Sequence, residues 1–408
     1  MSIALTHTLA WAIFLISYFV FAVGRLPGTR LDRAGMAFIG AVGMFVIGAL
    51  NAKTAIASLD YETLVLLASM MVLVAVLHLE GFFEWVTRQI VARLAPGQLL
   101  PGVIFSAGVL SAFLVNDVVC LFMAPLILRV TKQMGRNPLP FLLALATASN
   151  IGSSATITGN PQNILIGSVS QIGYRDFLFH LGPVAVVGMF LDWAVIAVLC
   201  RKQLSERLPI EANLEAKQGL DGLLAPLLIA GGIIAAFLGG LNPALVAATG
   251  AAVLLLLRSR LLEKIYREVD WALLVLFIGL FLIIGAAEQT GIAATLLRAA
   301  EWMNLHNLGI FSVTVTLLSN MVSNVPAVML LKDLVKQFPN AHQFWLALAM
   351  ASTLAGNLTI TGSIANMIVV ESVRPQLRIT FKDYLVVGVP TTILTIAVGT
   401  LWIAFFAH

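Results

Sequence analysis

The sequence predicts an all-α polytopic membrane protein built from two inverted repeats, each of five spans plus a re-entrant hairpin, with discontinuous helices. Three observations carry that expectation: a composition suited to lipid, paired apolar segments cut in the middle by polar residues, and a self-match at a fixed offset. Of 408 residues, 60% are hydrophobic and 11% charged, against roughly a quarter charged in soluble chains. Mean hydropathy is +0.97. The isoelectric point near 9.2 does not indicate nucleic acid, because Lys and Arg sit in short loops between apolar runs rather than along a basic stripe.

Runs long enough to cross the hydrocarbon core fall near 5–24, 34–50, 60–80, 178–200, 222–240, 243–257, 270–287 and 384–406. The first lacks a basic leader and reads as a span, not a cleaved signal peptide. Residues 101–131 and 308–335 are interrupted by Asn116-Asp117 and Ser323-Asn324, and are expected to be re-entrant hairpins. The segments that follow, 139–167 and 343–370, are apolar at both ends and broken by Gly, Thr, Ser and Asn. Such irregular backbone survives at membrane depth only where protein buries it or a wet cavity meets it. Glu80–Leu94 and Ile292–Trp302 precede the two hairpins and read as tethering arms, the first an interfacial helix with separate apolar and charged faces.

Positive charge crowds cytoplasmic loops. Arg25, Arg30 and Arg33, then Arg88 and Arg93, then Arg129, Lys132 and Arg136 mark the first three. Arg201, Lys202, Arg207 and Lys217 mark the central loop, followed by Arg258, Arg260, Lys264 and Arg267, and by Arg374, Arg378 and Lys382. This alternation gives ten crossings of the plasma (inner) membrane, both termini outside, and hairpins entering from opposite faces. Lys332 and Lys336 are exceptions on the outer side, diluted by Asp333.

The repeat is visible in the residues themselves. An offset of 203 carries Leu143-Ala144-Leu145-Ala146 onto Leu346-Ala347-Leu348-Ala349, and Ala148-Ser149 onto Ala351-Ser352. It also carries Thr156-Ile157-Thr158-Gly159 onto Thr359-Ile360-Thr361-Gly362, and Asn163 onto Asn366. With a small gap, Val115-Asn116-Asp117-Val118 lies over Val322-Ser323-Asn324-Val325. The expected division is therefore a first repeat at 1–207, a linker at 208–221 and a second repeat at 222–408.

Broken segments at corresponding places in two halves point to a transport site, since half-helix ends offer unpaired backbone groups. The expected solute ligands of the first half are Asn116, Asn150, Gly152, Ser153, Ser154, Thr156, Gly159, Asn160, Gln162 and Asn163; those of the second are Ser323, Asn324, Thr353, Asn357, Thr359, Thr361, Gly362 and Asn366. Pro161 fits the first turn of the helix after the first break, whose N-terminus would face a solute oxygen. Asp117 is an intramembrane carboxylate, by default a proton or cation relay, and its repeat-mate Asn324 is neutral. Capping the second hairpin arm is its other available role. Asp192, mid-span and outside the repeated motifs, is either a structural partner or an accessory proton site. Cys120 and Cys200 show no disulfide or metal spacing, although Cys120 lies three residues from Asp117. The six histidines show no metal spacing, and His180 and His306 fall near span ends.

Asn116-Asp117 followed by Ala124-Pro125, then Ala148–Thr156, then Gly159–Asn163 resemble the ion transporter superfamily over nearly the whole chain. Within it the match is most like arsenite efflux permeases, silicic-acid efflux transporters and anion permeases. Dicarboxylate/sodium symporters carry Ser-Asn-Thr at both hairpin tips, which this chain does not. The resemblance implies a scaffold domain and a transport domain moving in an elevator-like way.

Neither broken segment contains Arg or Lys, so hydroxyls and amides would have to recognise the solute. That favours proton-coupled efflux of arsenite, antimonite or a related metalloid hydroxide over permeation of a di- or tricarboxylate or other small anion, sodium- or proton-coupled. Catalytic constellations, metal clusters and nucleotide loops are not found, so no enzyme activity, metal or cofactor is expected. The expected partners are the bilayer, the solute and a proton, with an accessory ATPase and a second copy of the chain as candidate protein partners.

Overall fold

The computed structural model describes residues 3–93, 96–206, 222–300 and 303–407, all helical or connecting apart from one isolated bridge between Arg25 and Asp32. The 208–221 linker lies outside the described residues. The first half runs α1 (Ile3–Val23), α2 (Arg33–Val46), α3 (Ala52–Ser58), α4 (Tyr61–Leu79), α5 (Phe82–Arg93), α6 (Leu99–Phe113), α7 (Asn116–Gln133), α8 (Leu139–Ser153), α9 (Pro161–Ser170) and α10 (Tyr174–Leu199). After α11 (Arg201–Ser205), the same order returns: α12 (Leu224–Leu238), α13 (Pro243–Leu257), α14 (Leu262–Glu268), α15 (Trp271–Gln289) and α16 (Ile292–Ala300). It continues as α17 (Leu308–Val322), α18 (Asn324–Val335), α19 (Ala341–Leu354), α20 (Ile364–Val373) and α21 (Phe381–Phe406).

Local chemistry explains the shared boundaries. Asp60 accepts from the Thr63 N–H to start α4, and Asp270 accepts from the Leu273 N–H to start α15, each satisfying an orphan donor of a first turn. The expected hairpins are α6–α7, broken at Leu114-Val115, and α17–α18, broken at Ser323. The expected discontinuous helices are α8–α9 and α19–α20, each interrupted by a 3-10 turn that includes Ile157–Gly159 or Ile360–Gly362. Helix starts pair Asn116 with Asn324, one residue away from the register read in the sequence; either register leaves Asp117 opposite a neutral residue.

Packing partners exchange between the halves. The helix α2 packs on α15, and α13 on α4; α7 packs on α20, and α18 on α9, while α10 meets α21 and α8 meets α19. Long apolar helices suited to crossing a bilayer are α1, α4, α10, α15 and α21. The helices at the spans expected at 34–50 and 222–240 are shorter than anticipated, α2 with 14 residues and α12 with 15, while α13 fills its expected 243–257 with only 15. At about 1.5 Å per residue these reach only about 21–23 Å, so neighbouring protein or local thinning must cover the difference.

An ion pair and a hydrogen bond join loops assigned to the same side by the charge rule. Arg258 bonds Glu80 between the ends of α13 and α4, and Lys132 bonds Gln376 at 3.1 Å. The two exceptional lysines are neutralised locally: Lys332 lies 3.3 Å from Glu288 and Lys336 lies 2.9 Å from Asp333.

A candidate solute cavity between the hairpin tips

Both breaks are wired alike. The Asn163 amide donates to the carbonyls of Ser153 (3.1 Å) and Thr156 (3.0 Å). Its mate Asn366 donates to those of Gly356 (2.6 Å) and Thr359 (3.1 Å). Across the molecule, Thr353 donates to Asn163 Oδ1 at 3.2 Å, and Asn150, the mate of Thr353, donates to Asn366 Oδ1 at 3.0 Å. Asn160 donates to Thr353 Oγ1 and Ser363 donates to Asn150 Oδ1, both at 3.0 Å. Asn150 also donates to Asn357 Oδ1 at 2.9 Å, and the Asn357 amide donates to the Thr147 carbonyl. Asn150, Asn160, Asn163, Thr353, Asn357 and Asn366 are all buried. Polar groups at this depth must be paired, and here they pair with one another.

This wiring fixes the orientation of the hairpin-tip amide. Carbonyl acceptors identify the Asn366 nitrogen, so its oxygen accepts from the Asn150 nitrogen. The Asn150 oxygen must then accept, at 3.0 Å, from the Asn116 nitrogen. Asn116 Oδ1 is left buried and without a donor, and so is Asn324 Oδ1 at the other tip. Buried acceptors are rarely left bare.

The two tips meet at a small cavity of about 40 Å³ lined by Asn116, Asp117, Pro161, Gln162, Ser323, Asn324, Gly362 and Ser363, with Arg33, Leu273 and Leu276 from α2 and α15 among the other walls. The space suits a compact solute. Asp117 also borders a second space of about 90 Å³ with Glu268 and Asp270, and the Ala365 N–H in the first turn of α20 is aimed at its carboxyl group. Ser323 holds a backbone φ of +76°, a conformation that costs non-glycine residues about 1–3 kcal/mol and persists mainly at functional sites.

Of the expected ligands, Asn116, Gln162, Ser323, Asn324 and Gly362 line the cavity, as does the relay candidate Asp117. Asn150, Ser153, Thr156, Asn160, Asn163, Thr353, Asn357, Thr359 and Asn366 form the supporting network, and Ser154 bonds the Ile151 carbonyl. Thr361 lies in an adjoining vestibule. Gly152 and Gly159 serve packing: a Cβ on Gly152 would lie 2.0 Å from the Gly108 carbonyl oxygen, and one on Gly159 would lie 2.2 Å from that of Ser153. Asp192 is fully buried away from the cavity, accepting from Thr147 (2.9 Å) and Thr391 (3.2 Å). Cys120 is likewise outside, with its thiol 3.0 Å from Ser149 Oγ.

Sequence reasoning missed Arg33 and Ser363. The absence of basic residues from the broken segments is real, but α2 delivers a guanidinium from outside them. Arg33 Nε donates to the Phe21 carbonyl at 2.9 Å, and Arg33 forms no ion pair among the described residues. Its loop position disguised it as a sidedness charge. Ser363 is the mate of Asn160 at the 203 offset, which was the available signal.

A family model described as citrate transporter matches residues 16–355. The chain belongs to the citrate transporter (CitMHS) family. It is 29% identical to the silicon efflux transporter LSI3 of Oryza sativa subsp. japonica, covering 92% of this chain and 93% of that one. Identity is also 29% to the uncharacterized transporter Rv2684 of Mycobacterium tuberculosis (96% and 98% covered), and 24% to a transporter named arsB in Dictyostelium discoideum (90% and 86%). The crystal structure of the YdaH transporter of Alcanivorax borkumensis, described as having an unusual topology, superposes with a TM-score of 0.59 at 15% identity, covering 99% of this chain and 98% of that one. This CitMHS-family member is thus a multi-pass membrane transporter with the ion transporter superfamily fold.

Proposed function

We propose that the protein is a proton-coupled secondary transporter exporting a compact, neutral, polyhydroxylated solute, with arsenous acid or a related metalloid hydroxide as cargo. The observation that carries this reading is the pair of unpartnered acceptors, Asn116 Oδ1 and Asn324 Oδ1, beside a cavity of about 40 Å³. Such acceptors call for O–H donors. A metalloid hydroxide brings several, whereas carboxylate groups bring only acceptors. The names of the rice and Dictyostelium relatives point the same way.

Asp117 is the proton carrier, because it is the carboxylate in the cavity wall. Asp192 is a structural partner tying α8 to α10 and α21. The halves are inverted repeats, since five crossings in each would turn the second over relative to the first, and the hairpins and broken helices move together against α2, α4, α13 and α15. The termini face outward across the plasma membrane.

Arg33 favours a second reading, transport of a small anion such as a di- or tricarboxylate, which the family description also suggests. Uptake by everted vesicles with and without an imposed proton gradient separates the two. Saturable, gradient-driven arsenite accumulation that disappears in Asp117→Asn supports metalloid export. Citrate or succinate flux without arsenite flux overturns it.

A further inference from the structure

Far from the cavity, the first two turns of α10 and the first turn of α19 bring three ligating side chains together. Asp176 and His180 stand one turn apart on α10, and His342 reaches them from α19. Asp176 Oδ2 lies 2.7 Å from His342 Nε2, and Asp176 Oδ1 lies 3.0 Å from His180 Nδ1. One donor atom from each residue falls within 4.8 Å of the others. The two imidazole rings are 5.4 Å apart by centroid and inclined at 77°. Asp192 is 16 residues further along α10, about 24 Å at the helical rise, so this cluster is separate from the cavity and its support.

We infer that Asp176, His180 and His342 form a divalent-metal site, with Zn²⁺ the favoured ion, that joins the ends of α10 and α19. Two imidazoles and a carboxylate are a donor set that suits zinc, with water completing the tetrahedron. To converge on one ion, donor atoms now within 4.8 Å of one another must close to the spacing of tetrahedral partners at about 2.0–2.1 Å from a metal. The imidazole tautomers are free to adapt. His342 Nδ1 has no hydrogen-bond partner, so no competing bond holds the proton on Nε2. His180 Nδ1 approaches only Asp176, through its carboxylate and its carbonyl oxygen at 2.9 Å.

Access is open: the side chains of Asp176 and His342 are 43% and 37% exposed. The expected sidedness places all three on the outer face, where an external ion reaches them without crossing the membrane. Sequence spacing could not show the site, because the third ligand is 162 residues from His180. The metal would hold the outer ends of two helices that also carry Asp192 and Thr353, and its binding is independent of which solute is transported.

The test uses the tag-free, full-length protein in detergent, titrated with Zn²⁺ against a chromophoric chelator, with the melting temperature followed in parallel. Wild type is expected to bind one equivalent and to melt higher with Zn²⁺. His342→Gln keeps a donor for Asp176 while removing the imidazole ligand, and should weaken binding at least about tenfold and abolish the melting shift. His7→Ala, at an exposed histidine on α1, should match wild type. Equal zinc binding by wild type and His342→Gln, or no binding by wild type, overturns the metal site and leaves the trio a hydrogen-bonded clasp.

Discussion

Asn150 occupies the centre of the polar network, accepting from Asn116 and Ser363 and donating to Asn357 and Asn366. Asn150→Ala would strand several buried amide and hydroxyl groups, each costing about 1–3 kcal/mol, so the variant should be poorly folded by thermal denaturation in detergent. Asn324→Ala should behave differently. It removes an oxygen that no protein group uses, so stability should change by less than about 1 kcal/mol while solute flux falls. Asp117→Asn keeps the side-chain shape and should abolish gradient-driven accumulation while sparing exchange of solute across proteoliposomes without a gradient. At this scale the sequence was informative about residue type and less so about role. The Asn, Ser and Thr clusters were legible, but their division into lining and support depends on which amide faces inward, a matter of three-dimensional wiring. Arg33 was hidden because its pairing with the cavity crosses from α2 to the hairpins.

Breaks in helices, and the hairpins before them, were legible because polar clusters interrupt apolar runs in two matching places. Their finer boundaries were set by caps and strain that composition does not encode. At Ser323 the positive φ makes a local prediction: Ser323→Gly should stabilise the folded protein by about 1 kcal/mol, measured as a raised unfolding midpoint. Gly152 lets α8 touch the backbone of α6 directly. Gly152→Ala would drive its Cβ into Gly108 and should destabilise by about 1–3 kcal/mol, the usual range for overpacking, with loss of expression as the practical readout. The spans at 34–50 and 222–240 were drawn too long because apolar loop residues extend the hydrophobic run beyond the helix.

Across the whole molecule, two vestibules occupy corresponding places in the halves. One, about 380 Å³, is lined by the end of α1 and the starts of α2 and α15; the other, about 290 Å³, by the end of α12 and the starts of α13 and α4. The first shares Arg33, Leu273, Leu276 and Ile364 with the central cavity, whereas the second shares none of its lining. On the second side, Ser168 of α9 bonds Asp60 at the start of α4 at 2.9 Å. The central cavity therefore adjoins the vestibule on the face that the positive-charge pattern assigns to the cytoplasm. The matching order of helices and breaks was legible in the 203-residue offset, but this asymmetry was not, because it depends on how α2 and α15 pack against the hairpins rather than on either segment's own residues.

The most direct test of the central claim is exchange of arsenous acid across proteoliposomes without any ion gradient, in wild type, Asn324→Ala and Asp117→Asn, with citrate in parallel. Saturable arsenite exchange in wild type and Asp117→Asn, lost in Asn324→Ala and not matched by citrate, is the predicted result. Citrate exchange without arsenite exchange, or arsenite exchange indifferent to Asn324→Ala, would contradict recognition of a neutral hydroxylated solute by the hairpin-tip amides.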